Sequence, residues 1–134
     1  MDSNTDLNLV IQDIGKAKGL PNEHYIDSQV YEEEKKALIF DKWAGLAVAS
    51  DVTNPGDALP LTFFGMPLLL LRDQKGSIRV FLNTCRHRGM ILVEKAKNIE
   101  GVIRCPYHSW CYSKNGDLVS TPHAGGPGNN THKD

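Results

Sequence analysis

Two periodicities divide the chain. After the break at Leu20-Pro21-Asn22, Asp27 and Ser28 are both good N-cap residues. Val30, Tyr31, Ala37 and Leu38 then recur at helical spacing, which predicts one helix from about residue 27 to Phe40 with an apolar face. Glu32, Glu33 and Glu34 fall in its early turns, and Lys35 and Lys36 follow. That order suits the helix dipole, and the Glu run reads as a solvated helix face rather than a carboxylate active site. Upstream, Leu7–Ile14 is weakly amphipathic, compatible with a short helix or an irregular terminus.

From Trp43 the texture turns to β. Trp43–Ala49 reads as a strand, Asn54-Pro55-Gly56-Asp57 as a turn and Leu59–Phe64 as a second strand. Gly65-Met66-Pro67 is predicted as a turn. Leu68–Leu71 is a strand whose unbroken apolar run predicts burial on both faces, and it is too short to span a membrane. Asp73–Gly76 turns the chain into Ser77–Asn83, where apolar and polar residues alternate. Ile91–Val93, Gly101–Arg104, Trp110–Tyr112 and Leu118–Val119 are shorter extended elements, with an Asn-Gly turn at 113–117. The expected architecture is all-β, small antiparallel sheets preceded by an N-terminal arm and helix (1–40). The β domain covers 41–134, with a polar, Gly-rich, linker-like tail from about His123.

A length of 134 residues suggests one domain able to bury a core. With 15 basic and 16 acidic residues the net charge is −1, which points to neither nucleic acid nor an anionic membrane as partner. The N-terminus has no basic and apolar regions of a signal peptide. Three cysteines, two of them claimed below as ligands, imply no disulfide framework and suit a reducing cytoplasm.

The chemistry concentrates in Cys85-Arg86-His87-Arg88-Gly89 and Cys105-Pro106-Tyr107-His108-Ser109-Trp110. These are a C-x-H and a C-x-x-H half, each offering one thiolate and one imidazole. Two Cys and two His can bind a tetrahedral zinc or a [2Fe–2S] centre in which two His replace Cys on one iron. Zinc fingers pair Cys with Cys in one knuckle and His with His in the other; here each loop carries one of each. That split is what a dinuclear cluster requires, since each loop tip then reaches both irons. Gly89 is expected to allow close backbone approach to a ligand, and Pro106 to stiffen the second loop. Cys111 is expected to be a packed thiol, and His24, His123 and His132 surface residues. Trp110 and Tyr112 read as core and shielding of the site. Arg86 and Arg88 would meet a partner's carboxylates or offset negative charge at the site.

These residues resemble the N-terminal Rieske domain of the large (α) subunit of Rieske non-haem iron oxygenases, the ring-hydroxylating dioxygenase and choline-monooxygenase-like group. CRHRG at 85–89, CPYHSW at 105–110, Tyr112, NGDL at 115–118, NPGD at 54–57 and the run at 65–83 carry the resemblance. It implies a Rieske [2Fe–2S] cluster on Cys85, His87, Cys105 and His108, with Arg88, Gly89, Tyr107, Ser109 and Trp110 around it. It also implies one-electron transfer from a ferredoxin or flavin reductase to a mononuclear non-haem Fe(II) site. That iron, held by a 2-His-1-carboxylate triad, belongs to a C-terminal domain that the chain does not reach. The chain thus resembles the electron-receiving half of an oxygenase, without hydroxylating activity of its own; whole α subunits are expected to assemble with one another, as trimers. Ser109 departs from the pattern, where Gly is commoner, and is expected to be the one hydroxyl near the cluster. A stand-alone Rieske ferredoxin is the alternative, though it would normally lack the N-terminal helix; a structural zinc module is the third reading. High-potential versions carry an extra Cys pair in the two loops. This chain cannot form that clamp, so a low-potential centre is expected.

Overall fold

The computed structural model describes residues 8–130, which fall into two compact units dividing between Gly45 and Leu46. In the first, a short helix α1 (Glu23–Ile26) precedes α2 (Ser28–Glu34), which widens into a π-helical segment over Lys35–Phe40. Asp27 is the N-cap of α2, its carboxylate accepting the Gln29 N–H at 2.7 Å. The helix therefore ends where the sequence predicts, but the apolar face is not buried. Tyr31 and Leu38 stay exposed, because two helices this short offer each other little to pack against. Residues 8–14 form turns rather than a helix, and Leu7 lies outside the described residues, as does His132.

In the second unit, β1 (Asp57–Phe63), β2 (Met66–Arg72), β3 (Ile78–Leu82) and β4 (Lys97–Asn98) form an antiparallel sheet in the order β3-β2-β1-β4. A smaller sheet holds β5 (Ile103–Arg104), β6 (Cys111–Tyr112) and β7 (Leu118–Ser120) in that order. The expected all-β architecture of small antiparallel sheets after one N-terminal helical region is what the structure shows. β2 is buried on both faces, as its run of leucines predicts. Leu69 and Leu71 join the core, and Leu68 and Leu70 are buried on the opposite face. Each such side chain contributes about 1.5–3 kcal/mol relative to an exposed one.

Two strand assignments fail for physical reasons. Trp43–Ala49 pairs with nothing; its run of alanines and a glycine carries little β preference, and a 3-10 turn over Ala49–Val52 follows. Met66 and Pro67 belong to β2, opposite Phe63 and Thr62, so the tight turn contracts to Phe64-Gly65. Ile91 makes only an isolated bridge to Thr84. The 3-10 turn is held by Arg72, whose guanidinium donates to the Val52 and Ala49 carbonyls as well as to Gly76.

Two polar side chains shape the unit from inside. Asn83, buried after β3, exchanges both amide bonds with the Val93 backbone and so fixes the segment that returns from the first loop. Asp73, 2% exposed, accepts from the Lys75 and Ser77 N–H groups and from Arg79 Nε at 2.8 Å. At the β6–β7 turn, Gly116 has φ 97°, and a Cβ there would sit 2.7 Å from the Phe81 ring, so the hairpin closes directly onto β3.

The Arg79 bond, followed by those of Ser77 and Lys75 and working against burial, holds the Asp73 carboxyl below its ordinary 3.8. A lowered folded pKa adds stability that is full above the unfolded value and lost as pH falls through the folded one. Asp73→Asn is therefore expected to lower the urea midpoint at neutral pH, with the gap to the parent narrowing as pH drops below about 4. Urea titrations at a series of pH values check this; a constant gap would show that the charge is not involved.

Candidate metal centre

The two motif loops have the same backbone. In the first, the Cys85 N–H donates to Met90 O (2.8 Å) and the Gly89 N–H to Cys85 O (2.9 Å). In the second, the Cys105 N–H donates to Trp110 O (2.8 Å) and the Ser109 N–H to Cys105 O (3.1 Å). Both loops spring from matching β pairs, Thr84 with Ile91 and Arg104 with Cys111. The fifth position has positive φ in both, 69° at Gly89 and 59° at Ser109. That explains why glycine suits position 109: the demand is on the backbone, and a serine pays for it in strain. The same backbone demand holds at Gly89, whose φ of 69° favours glycine.

The loops place their imidazoles one position apart, and that offset pairs like with like. Cys85 and Cys105 are both buried in the hydrophobic core, with Leu69, Leu71, Leu92, Val93 and Tyr112 among its members. Both belong to one cluster of buried residues. His87 and His108 meet edge to face with ring centroids 4.8 Å apart, His87 exposed and His108 half-buried. Trp110 stacks on His87 (4.7 Å, 10°), and the Tyr107 ring lies 3.6 Å from that of His108. Arg86 and Arg88 are exposed beside the first loop. A recess of about 700 Å³ opens at this edge, lined by both imidazoles, Arg88, Arg104, Trp110 and His123 among others.

The electrostatics favour the ligating form of Cys85 and of His108. Burial raises the Cys85 thiol, but hydrogen bonds from the Tyr112 hydroxyl, the His87 N–H, Cys105 and the Arg88 N–H outweigh it and leave the pKa lowered. Burial and the charges of His87 and Arg88 lower His108, keeping its ring neutral. His108 Nδ1 is buried with no hydrogen-bond partner. A buried polar atom of that kind needs a reason, and an electron-pair acceptor supplies one. The donor set thus fits a cluster with thiolates on one iron and imidazoles on the other.

Sequence reasoning missed the role of Tyr112. Its hydroxyl lies 3.2 Å from Cys85 Sγ and accepts the Arg86 N–H at 2.9 Å. Burial and the neighbouring Cys85 push the phenol up to about 12, so it stays protonated and donates to the sulfur. It, rather than Ser109, is the hydroxyl placed at a thiolate. The available signal was a tyrosine in the short strand that leaves the second loop. Cys111 is buried and donates to Ser109 O at 3.1 Å, a packed thiol as expected. His24 is half-buried and His123 exposed with φ 67°, its Nδ1 3.4 Å from the Gly128 N–H. The Gly-rich stretch after Pro122 closes into a loop, with His123 N–H donating to Asn129 O and Thr121 N–H to Asn130 Oδ1.

The Rieske [2Fe-2S] domain model matches residues 42–128, and the chain belongs to that family. It is 34% identical over 99 residues to the carnitine monooxygenase oxygenase subunit of Acinetobacter baumannii, covering 74% of this chain and 27% of the relative. To the large oxygenase component of the 2,4-dinitrotoluene dioxygenase system of a Burkholderia species it is 35% identical over 114 residues, covering 83% and 25%. Among solved structures, naphthalene 1,2-dioxygenase from a Rhodococcus species, bound to indole, matches with a TM-score of 0.76 at 32% identity, covering 88% of this chain and 27% of that one. The apo form of a quaternary ammonium Rieske monooxygenase gives 0.71 at 33%, covering 75% and 29%. The chain spans about a quarter of the length of the curated relatives it matches. No described helix is long and apolar enough to cross a membrane.

Removing the Tyr112 hydroxyl leaves the Cys85 sulfur more electron-rich, which disfavours reduction. Tyr112→Phe is expected to lower the midpoint of the loaded domain by about 20–65 mV, from one hydrogen bond of roughly 0.5–1.5 kcal/mol and about 59 mV per tenfold for one electron. Voltammetry of the two proteins checks the sign; an unchanged midpoint would mean that the bond does not reach the cluster's electronics.

Proposed function

We propose that this chain transfers single electrons through a Rieske cluster held by Cys85, Cys105, His87 and His108. It would serve as the electron-receiving domain of a ring-hydroxylating-type oxygenase large subunit, between a ferredoxin or flavin reductase and a mononuclear iron site. The observation that carries the reading is the pairing of donors: two cysteines in the core, and an exposed and a half-buried imidazole packed against each other, brought together by loops with matching backbone hydrogen bonds. When bound, the cluster supplies one-electron redox chemistry with no substrate chemistry of its own. The chain's own residues do the rest. Core packing around Cys85 and Cys105 excludes water from the thiolates, and Tyr112 steadies one of them. The exposed His87 edge offers the short path to a redox partner, and Arg88, Arg104 and His123 around the recess suit a partner with an acidic face. The cluster domain would be the second compact unit, which begins at Leu46. The substrates of whole oxygenases are set outside these residues. Sequence following Asp134 separates the oxygenase from a stand-alone carrier: a 2-His-1-carboxylate triad supports the first, a stop codon the second.

Protein purified without oxygen is expected to be red-brown, with about two iron and two acid-labile sulfide per chain. Cys85→Ala or Cys105→Ala should abolish both, and His87→Cys or His108→Cys should change the visible spectrum. Stoichiometric zinc without sulfide would overturn the reading in favour of a structural metal module.

The midpoint is expected near the lower end of the roughly −150 to +300 mV range of such centres. All three cysteines are free thiols, and Cys111 is committed to Ser109 O, so no disulfide braces the loops. Tyr112 is the single hydroxyl bonded to a ligand sulfur among the described residues. A midpoint well above zero at neutral pH would remove the chain from the oxygenase type.

A further inference from the structure

Resting on the cluster reading above, we infer that Trp110 is the positioning residue for the His87 imidazole: a side chain of the second loop sets the ring orientation of the first loop's nitrogen donor. The His87 ring is exposed, and its own loop offers little to hold it. Gly89 has no side chain, and Arg86 and Arg88 are exposed. A metal-bound imidazole is ordinarily oriented by a hydrogen bond to its second ring nitrogen. The ring contacts that the structure gives His87 are aromatic instead, Trp110 face to face and His108 edge to face. An interplanar angle of 10° at 4.7 Å restricts tilting of the imidazole out of its plane.

Trp110 is itself well placed to act as a fixed surface. Its side chain packs against the core that contains Cys85 and Cys105, and its carbonyl accepts the Cys105 N–H at 2.8 Å. The indole plane is thus referred to the same frame as the two thiolates. His108 is braced differently, by Tyr107 beside it in the same loop. The two imidazoles therefore depend on different aromatic residues, and loss of Trp110 should affect one nitrogen donor and spare the other. Loss of the indole also lets water reach the His87 face. Reduction adds one negative charge, which water stabilises, so the midpoint should rise.

The test compares parent, Trp110→Leu and Trp110→Phe in the loaded domain by iron and sulfide content, pulsed EPR of the imidazole nitrogens and voltammetry. Trp110→Leu is expected to keep the parent's iron and sulfide, to change one of the two imidazole nitrogen couplings while leaving the other, and to raise the midpoint. Trp110→Phe keeps a ring over a smaller area and should move the same coupling by less. Unchanged couplings and midpoint in an intact Leu variant would overturn the inference, as would a shift of both couplings alike, which marks general loosening of the tip. If the Leu variant holds no cluster, the Phe variant decides: a change confined to one coupling supports the inference, no change overturns it. A parent without iron and sulfide overturns the cluster reading and this inference together, whereas a loaded parent with silent variants overturns the inference alone.

Discussion

The bond between the Tyr112 hydroxyl and the Cys85 sulfur ties the first loop to the strand leaving the second. Each loop closes on itself through its own amide bonds, but those bonds say nothing about where the other loop stands. Tyr112 supplies that relation. Its ring is part of the core, its oxygen accepts from the Arg86 N–H, and that oxygen lies 3.2 Å from the sulfur. The core follows from the same need. β2, buried on both faces, and the small sheet that carries Tyr112 contribute to one apolar cluster that includes both cysteines. Polar groups then trim the register: Asn83 fixes the return from the first loop, and Lys114 donates to Glu100 O behind the second.

Much of this was legible in the residues. The C-x-H and C-x-x-H halves marked the two loops, and the leucine run marked the doubly buried strand. Asp27 marked the start of the helix. What was not legible depended on tertiary neighbours. Trp43–Ala49 reads as extended from its apolar residues, but its alanines and glycine carry little β preference and it pairs with no strand. The two-residue β4 has no apolar pattern; it exists because Asp57 and Ala58 present a free edge opposite Lys97 and Asn98. The spacing of the ligands could not show that loops of unlike sequence share a backbone, because the shared feature is a positive φ at Gly89 and Ser109, and only one of these is glycine. Tyr112 was visible as an aromatic residue in a short strand; that its oxygen rather than its ring matters most appears only once the first loop is placed across from it.

The shared loop backbone makes the His positions a matter of phase. Counting from each cysteine, the third position holds His87 in one loop and Tyr107 in the other; the fourth holds Arg88 and His108. One residue of offset on an otherwise equal frame turns two copies of a turn into unlike halves of one site.

The burial of the cysteines and the exposure of His87 give the tip a front and a back. A proton, a chelator or an oxidant diffusing up to the tip meets an imidazole first and the sulfurs last. In a loaded tip the nitrogen side would face solvent, while the sulfur side would stay within the apolar interior.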